Sequence, residues 1–265
     1  MFLMTLKKLF LTMLTKIDTT ASHKSFITAK PFHHVVIDDF FDEGSALALS
    51  KEFPDFHDPL WFVYDNPLEK KKTCNEWNRF PRNIYSTLTY LNSPQFISKL
   101  KKITGIKKLY PDVGLHGGGL HIHGKGDKLN VHLDYSIHPK LKLQRKINLI
   151  IYLGEGWNPE WGGQLELWSA DKKECVTSVD TLFNRAIIFD TTQKSYHGLP
   201  TPLSCPDDCY RKSLAVYYLT DAPENCPTNS KAIYIPTKEQ EDDKEIQEII
   251  EKRSRMTTAK QVYQI

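Results

Sequence analysis

The stretch VHLDYSIHP, residues 131–139, places a histidine and a carboxylate two residues apart. In a strand, side chains two residues apart point the same way, so His132 and Asp134 would share one face. They are then either a satisfied polar pair at a sheet edge or two ligands of a metal site that needs a third. His197, in the sequence SYHGLP, offers that third ligand. Two histidines and one carboxylate with open coordination positions suit non-haem Fe(II).

A second polar pair lies in the sequence YRKSLAVYYLT. By the same period of two, Arg211 and Ser213 share one face of a strand, and Lys212 points the other way. Arginine grips a carboxylate through two parallel hydrogen bonds and keeps its charge. Taken alone, Arg211 would be interpreted as half of a surface salt bridge. Beside the three candidate ligands, it indicates an anion pocket in the same site.

These residues fall in a region of short segments with strand-like patterns and glycine-containing turns. The predicted strands cover residues 128–134, 147–153, 163–168, 186–190 and 213–219. Such a series is typical of a barrel or jelly roll.

The N-terminal half differs from this region, because most of its predicted elements are helices. A short strand over residues 35–37 precedes a helical pattern in DEGSALALSKEF, and residues 83–103 predict two short helices broken near Pro94. We interpret residues 54–72, which are rich in proline and aromatic side chains, as a loop. The sequence TKEQEDDKEIQEIIEKRSR near the C-terminus predicts a charged helix with one apolar stripe.

The strand INLIIYL predicts a lined cavity. Its odd-numbered residues, from Ile147 to Leu153, are all apolar, whereas Asn148 and Tyr152 point to the other face. Asn148 and Tyr152 should therefore face something polar, which is either solvent or a ligand. The alternative for Tyr152 is a core tyrosine whose hydroxyl is satisfied.

Taken together, the sequence resembles the Fe(II)- and 2-oxoglutarate-dependent oxygenases, in the prolyl 4-hydroxylase-like branch. The segments that carry the resemblance are HLD, INLIIYLGEGWNPEWGGQLELW, FNRAIIFDTTQKSYHGLP and RKSLAVYYLT, with the weaker PFHHVVIDDFF at the family's usual start. The resemblance implies a mainly β (α+β) fold, with a double-stranded β-helix (jelly roll) core, supporting N-terminal helices and a C-terminal charged helix. We expect a leader at residues 1–30, the dioxygenase domain at 31–221 and a C-terminal extension at 222–265.

The resemblance also implies roles for the candidate residues. His132, Asp134 and His197 would bind iron; Arg211 and Ser213 would bind the distal carboxylate of 2-oxoglutarate, helped by Tyr152 and Asn148. The charges agree with this, because Fe(II) with Asp134 keeps one positive charge, 2-oxoglutarate brings two negative charges, and Arg211 restores neutrality. The implied cofactor and cosubstrates are Fe(II), 2-oxoglutarate and O2, with ascorbate as an optional addition.

The implied activity is hydroxylation of a C–H bond, with release of succinate and CO2. Prolyl residues of a protein or peptide are the typical substrate of the branch, and a small molecule, a sugar or a free amino acid is the alternative. Two other classes stay open: a cosubstrate-binding sensor module without turnover, and a zinc or other metal hydrolase on a related scaffold.

Two further groups of residues could bind a metal. His116, His121 and His123 lie among glycines and are either a second metal site or a turn and strand in which His121 or His123 lines the substrate side. Cys205, Cys209 and Cys226 are either a zinc site that lacks a clear fourth ligand or ordinary free cysteines. We interpret His138 as a loop residue.

The net charge, the cysteine count and the N-terminal run bear on the partners and the cellular compartment of the protein. The net charge of +3 is spread over intermixed signs, which gives no argument for nucleic acid, and the odd count of 5 cysteines favours a reducing, cytoplasmic compartment. The apolar N-terminal run MFLMTLKKLFLTMLTK is too short to span a bilayer, so we expect no stable membrane insertion. It is either an amphipathic helix packed on the body or, as the alternative, a targeting segment. Nothing in the sequence indicates an oligomeric state.

Overall fold

The computed structural model describes residues 17–191, 194–227 and 231–255. The N-terminal amphipathic or targeting run, up to Lys16, lies outside the described residues. Within them, the helices are α1 (Thr19–Thr28), α2 (Glu43–Glu52), α3 (Arg82–Leu91), α4 (Pro94–Thr104) and α5 (Lys244–Arg255).

The strands are short and follow one another closely after residue 109. They are β1 (His34–Ile37), β2 (Phe62–Asn66), β3 (Glu69–Cys74), β4 (Tyr110–Pro111), β5 (Gly119–His123), β6 (Lys128–Leu133), β7 (Gln144–Tyr152), β8 (Leu165–Trp168), β9 (Cys175–Val179), β10 (Ala186–Asp190), β11 (His197–Leu199), β12 (Arg211–Thr220) and β13 (Ile233–Tyr234). Each strand predicted from the sequence is present, with ends that differ by a few residues.

The predicted break between two helices near Pro94 is also present. Pro94 opens α4, where a missing backbone N–H costs nothing, and the Ser93 hydroxyl accepts from the amide of Phe96 as an N-cap. Gly105 ends the helix at φ 74°, a left-handed conformation that favours glycine. The local sequence therefore encodes both ends of α4.

The strands form one strongly curved antiparallel sheet. Its order is β1-β10-β7-β12-β5-β3-β6-β11-β8-β9, with β2 on β3, β4 on β12 and β13 on β6. β3 pairs with both β5 and β6, and so joins the two halves of the sheet. The result is a nearly closed jelly roll with few helices, which confirms the predicted fold class.

The two faces of β7 serve different cores. Ile147, Leu149 and Ile151 pack with Leu88 and Phe96 of the helices. Tyr152 points the other way and packs with Leu165, Leu167 and Phe189 inside the roll. The alternation predicted for this strand therefore separates the helix-facing core from the interior that holds the site.

The interpretation of residues 54–72 as a loop is wrong, because β2 and β3 form a hairpin there. The Asn66 side chain accepts hydrogen bonds from the amides of Leu68 and Glu69, which closes the turn. Glu69 is buried with an ion-pair partner, Lys71. The charged residues of β3 therefore lie on an inner strand. Because one of its buried residues is a glutamate, the sequence lacks the alternation of apolar and polar residues that would predict such a strand.

Among the helices that the structure describes, none has the length and apolar character needed to cross a membrane. All five cysteines lie in described residues, and each is a free thiol.

Candidate active site

His132 and His197 meet across two neighbouring strands. They stand directly opposite each other on β6 and β11, with ring centroids 4.5 Å apart. Asp134 follows directly after β6, and the ligating atoms of the three residues all lie within 4.8 Å of one another. In the described ranges, this is the one group of at least three histidine, cysteine or acidic side chains close enough to hold a metal ion.

Backbone carbonyls orient both imidazoles. Nδ1 of His132 lies 2.9 Å from the oxygen of Asn130, and Nδ1 of His197 lies 2.8 Å from that of Ser195. Nδ1 is therefore the donor, and Nε2 of each ring keeps its lone pair for the centre, as in most metal-bound histidines. Nε2 of His132 lies 3.9 Å from Oδ1 of Asp134, and Nε2 of His197 lies 3.9 Å from Oδ2 of the same residue.

The protonation states also suit a metal. Burial lowers the pKa of His132 to about 3, so its imidazole is neutral at pH 7. Burial alone would raise the pKa of Asp134, but Arg145 and the two histidines hold that pKa below its usual range. Two imidazoles and one carboxylate are a donor set for a divalent cation.

Sequence reasoning missed Arg145. Its Nη1 lies 3.1 Å from Oδ1 of Asp134, and the side chain is 2% exposed. Its guanidinium lies between the rings of Tyr135 and Tyr217, at 3.5 and 3.4 Å from their centres. Arg145 stands in a lysine-rich stretch, KLKLQRK, whose pattern predicts a solvated segment. The fold alone brings it next to Asp134.

A buried cation lies deeper in the roll. Arg211 is 4% exposed, and its Nε donates to the carbonyl of Gly163 at 2.8 Å. No carboxylate of the described chain pairs with it. A buried charge without a counter-ion is costly, so this guanidinium calls for an anionic ligand.

The neighbours of Arg211 share its face. Ser213 is buried and stands opposite Tyr152 and His121 in the sheet. The Arg211 guanidinium carbon lies 4.9 Å from the Tyr152 ring centre. Lys212 points out of the roll, with its ammonium 5.8 Å from the Phe53 ring centre.

His123 stands opposite Arg211 in β5 and is 2% exposed. In the described part of the chain, neither of its ring nitrogens has a hydrogen-bond partner, and the Tyr152 hydroxyl interacts with Arg211. Burial lowers the pKa of His121, on the same face, to about 3. These polar groups line the interior beside Arg211, where a ligand would satisfy them.

Asn148 lies on the same face of β7, opposite Tyr217. It is buried, and its side chain interacts with Tyr217, which packs on Arg145. Asn148 thus neighbours the Arg145 cluster, four residues along β7 from Tyr152. Its predicted role towards the cosubstrate stays a prediction.

The segment after β12 covers the centre. Tyr234 of β13 stacks on the ring of His132, with centroids 5.2 Å apart and an interplanar angle of 28°. Arg253 of α5 forms an ion pair with Glu69 of β3 and donates to the Tyr234 hydroxyl. Burial alone would raise the pKa of Glu69, but Lys71 and Arg253 lower that pKa to about 2. This buried pair fastens α5 near the candidate metal ligands.

The other metal candidates do not gather in this way within the described residues. His116 packs against His138, whose Nε2 lies 3.5 Å from Oδ1 of Asp112. His121 and His123 turn into the roll instead. Cys205 lies near Cys209, with its thiol 3.3 Å from the Cys209 carbonyl oxygen, and no metal-binding group of the described chain includes either.

Comparisons with known proteins agree with this geometry. Residues 118–225 match the model of the 2OG-Fe(II) oxygenase superfamily. Mouse prolyl 3-hydroxylase OGFOD1 is 26% identical over 219 residues, which is 79% of this chain and 37% of that protein. The chain therefore spans little more than a third of this curated relative.

Two solved structures show the same fold. A prolyl hydroxylase from Trichoplax adhaerens, in complex with a hypoxia inducible factor oxygen degradation domain peptide, has a TM-score of 0.56 at 16% identity, covering 76% of this chain and 90% of that one. A Pseudomonas putida prolyl-4-hydroxylase has a TM-score of 0.52 at 17% identity, covering 77% and 98%.

All three candidate metal ligands lie in the stretch 118–225, which is the part of the chain that matches the 2OG-Fe(II) oxygenase superfamily model. The curated relative and the two solved structures are all prolyl hydroxylases, which agrees with the predicted resemblance. The family match and the donor set agree with the predicted Fe(II), 2-oxoglutarate and O2. The optional addition of ascorbate stays a prediction.

Proposed function

We propose that this protein is an Fe(II)- and 2-oxoglutarate-dependent dioxygenase that hydroxylates a C–H bond of its substrate and releases succinate and CO2. The observation that carries the proposal is the pairing of two features in one roll. A buried triad of two histidines and a carboxylate lies in the same interior as Arg211, a buried cation without an acidic partner in the described chain.

In this proposal, His132, Asp134 and His197 hold the iron. Arg211 holds the distal carboxylate of 2-oxoglutarate, with the hydroxyls of Ser213 and Tyr152 as further donors. The bound iron supplies the activation of O2. The chain orients the cosubstrate, neutralises its charge and keeps water from the interior. The dioxygenase domain is proposed to extend over residues 31–221.

Our proposed substrate is a prolyl residue of a protein or peptide. The curated relative that matches most of this chain is a prolyl 3-hydroxylase. A solved structure of similar fold is a prolyl hydroxylase that holds a peptide. A small molecule, a sugar or a free amino acid remains the alternative substrate class.

The test is a substrate panel. Purified full chain, loaded with Fe(II), is incubated with 2-oxoglutarate and with proline-containing peptides, sugars or free amino acids, and succinate release is measured. A substrate should raise succinate release above the rate without substrate, and mass spectrometry should show the gain of one oxygen atom. Binding of 2-oxoglutarate without succinate release under any condition would instead support a sensor module.

A further inference from the structure

We infer that His123 is a second donor, beside Arg211, to the distal carboxylate of 2-oxoglutarate, and that it thereby helps the site to select a dicarboxylate as its cosubstrate. The inference rests on the proposed function and deepens it. It adds a residue to which the sequence resemblance gave no role towards the cosubstrate. His123 is not one of the candidate metal ligands, so its loss should leave the metal in place.

The sheet places His123 directly beside Arg211. In the register of β5 and β12, His123 stands opposite Arg211, and His121 stands opposite Ser213. Residues directly opposite each other in an antiparallel pair have their side chains on the same face, with Cβ atoms about 4.5–5.5 Å apart. His123 and Arg211 are 2% and 4% exposed. A group that is bound by one of these side chains inside the roll is therefore close to the other.

His123 has hydrogen-bonding capacity that the described chain does not use. Neither its Nδ1 nor its Nε2 has a partner among the described residues. By contrast, Nδ1 of His132 and Nδ1 of His197 each bond to a backbone carbonyl. Buried polar groups in folded proteins almost always have a partner, so the imidazole of His123 calls for one from outside the chain.

The charges around His123 favour an anion as that partner. Burial, Arg211 and Lys71 together hold the pKa of His123 well below 6.5, so the imidazole is neutral at pH 7 and carries one N–H donor. The ionisable groups that act on it are Arg211 of β12, Lys71 of β3 and His121 of β5, and none of them is a carboxylate. A ligand carboxylate can accept from the imidazole N–H and neutralise the guanidinium at the same time.

Two other roles for His123 lead to different results. If His123 only filled space in the interior, its substitution would weaken every ligand of the site, with or without a distal carboxylate. If it contacted the hydroxylated substrate instead, its substitution would leave the binding of 2-oxoglutarate unchanged. Only a donor to the distal carboxylate predicts a loss that is confined to ligands carrying that group.

The test compares 2-oxoglutarate with 2-oxopentanoate, which has the same chain length and the same chelating end but a methyl group in place of the distal carboxylate. The full-length parent chain and each variant are loaded with Fe(II) without oxygen and titrated with either compound. The visible charge-transfer band of the chelate reports binding, and the iron content is measured in parallel. This readout needs no turnover.

His123→Phe keeps a ring and removes the donor. His23→Phe is the control, because His23 lies on α1 with its Nδ1 3.0 Å from the carbonyl oxygen of Ile103, on the helical side of the molecule. The control thus makes the same substitution outside the roll.

For His123→Phe we expect the dissociation constant of 2-oxoglutarate to rise at least about tenfold, as for the loss of one hydrogen bond to a charged group. The dissociation constant of 2-oxopentanoate and the iron content should match those of the parent chain. His23→Phe should match the parent chain with both compounds. An unchanged constant for 2-oxoglutarate, or an equal loss with both compounds, would overturn the inference. A parent chain that forms no band with 2-oxoglutarate would instead contradict the proposed function.

His123→Gln keeps a donor at this position and tests for rescue. Its dissociation constant for 2-oxoglutarate should lie closer to that of the parent chain than the constant of His123→Phe does. If the phenylalanine variant does not fold, His123→Leu replaces it in this comparison. A glutamine variant that binds 2-oxoglutarate as weakly as the apolar variant would show that the donor has no role, which would also overturn the inference.

Discussion

Binding of 2-oxoglutarate should depend on Arg211, which we propose holds its distal carboxylate. Each charge-assisted hydrogen bond is worth about 1.5–3 kcal/mol, and the buried guanidinium can offer two. We therefore expect Arg211→Ala to raise the 2-oxoglutarate requirement by roughly 100-fold or more, at about 1.4 kcal/mol per tenfold. Iron binding should survive, because Arg211 is not a proposed ligand.

Lys212→Ala is the matched control, since its side chain leaves the opposite face of β12 and its ammonium lies near Phe53. Titration of both variants with 2-oxoglutarate, with iron content measured in parallel, checks the prediction. If Lys212→Ala were the damaging substitution, the proposed anion pocket would be on the wrong face.

His121 should make the free energy of unfolding depend on pH below pH 6.5. Burial lowers its pKa from 6.5 to about 3. Below pH 6.5 the unfolded chain therefore binds a proton that the folded chain does not, so the free energy of unfolding falls as the pH drops from 6.5 towards 3, by at most about 1.4 kcal/mol per pH unit for this group. Above pH 6.5 His121 adds no pH dependence.

Urea unfolding of the metal-free protein at a series of pH values measures this dependence. His121→Gln should flatten the slope between pH 6 and pH 4. An identical slope in the parent chain and the variant would show that His121 takes up its proton as easily in the folded state.

At the scale of elements, the buried Glu69–Arg253 pair fastens α5 to β3. Removing one partner of a buried pair costs roughly 3–5 kcal/mol, and we expect the lower end, because Lys71 still pairs with Glu69. Arg253→Met should therefore speed amide exchange across α5 and leave β7 and β10 unchanged.

Hydrogen–deuterium exchange with mass spectrometry tests this. Lys252→Met is the control, because Lys252 lies on the same helix and forms only an exposed pair with Glu248 at 3.6 Å. Equal exchange in the two variants would contradict a fastening role for Arg253.

Some elements and contacts could be predicted from the sequence, and others could not. The period of two predicted that Arg211 and Ser213 share a face, and β12 has them on one face because strand geometry is local. The β2–β3 hairpin was not predicted, because the burial of Glu69 depends on Lys71 and on a helix far along the chain. Arg145 was missed for the same reason, since its contact with Asp134 exists only once residues 135–143 fold back.

At the scale of the whole molecule, the cytoplasmic, reducing setting stays a prediction. The five free thiols are the observation behind it. We expect the cellular protein to keep its thiols reduced, measured by thiol labelling under denaturing conditions. A mature chain that begins near Ser22 in a secreted fraction would contradict the prediction and support a targeting role for the N-terminal run.

The most direct test of the central claim is succinate release from 2-oxoglutarate by metal-stripped protein, with and without added Fe(II). Because two remaining ligands hold iron weakly, we expect release only with Fe(II) in the parent chain, and none above background in His132→Ala or His197→Ala. Full release by either histidine variant, or Fe(II)-independent release by the parent chain, would contradict the account.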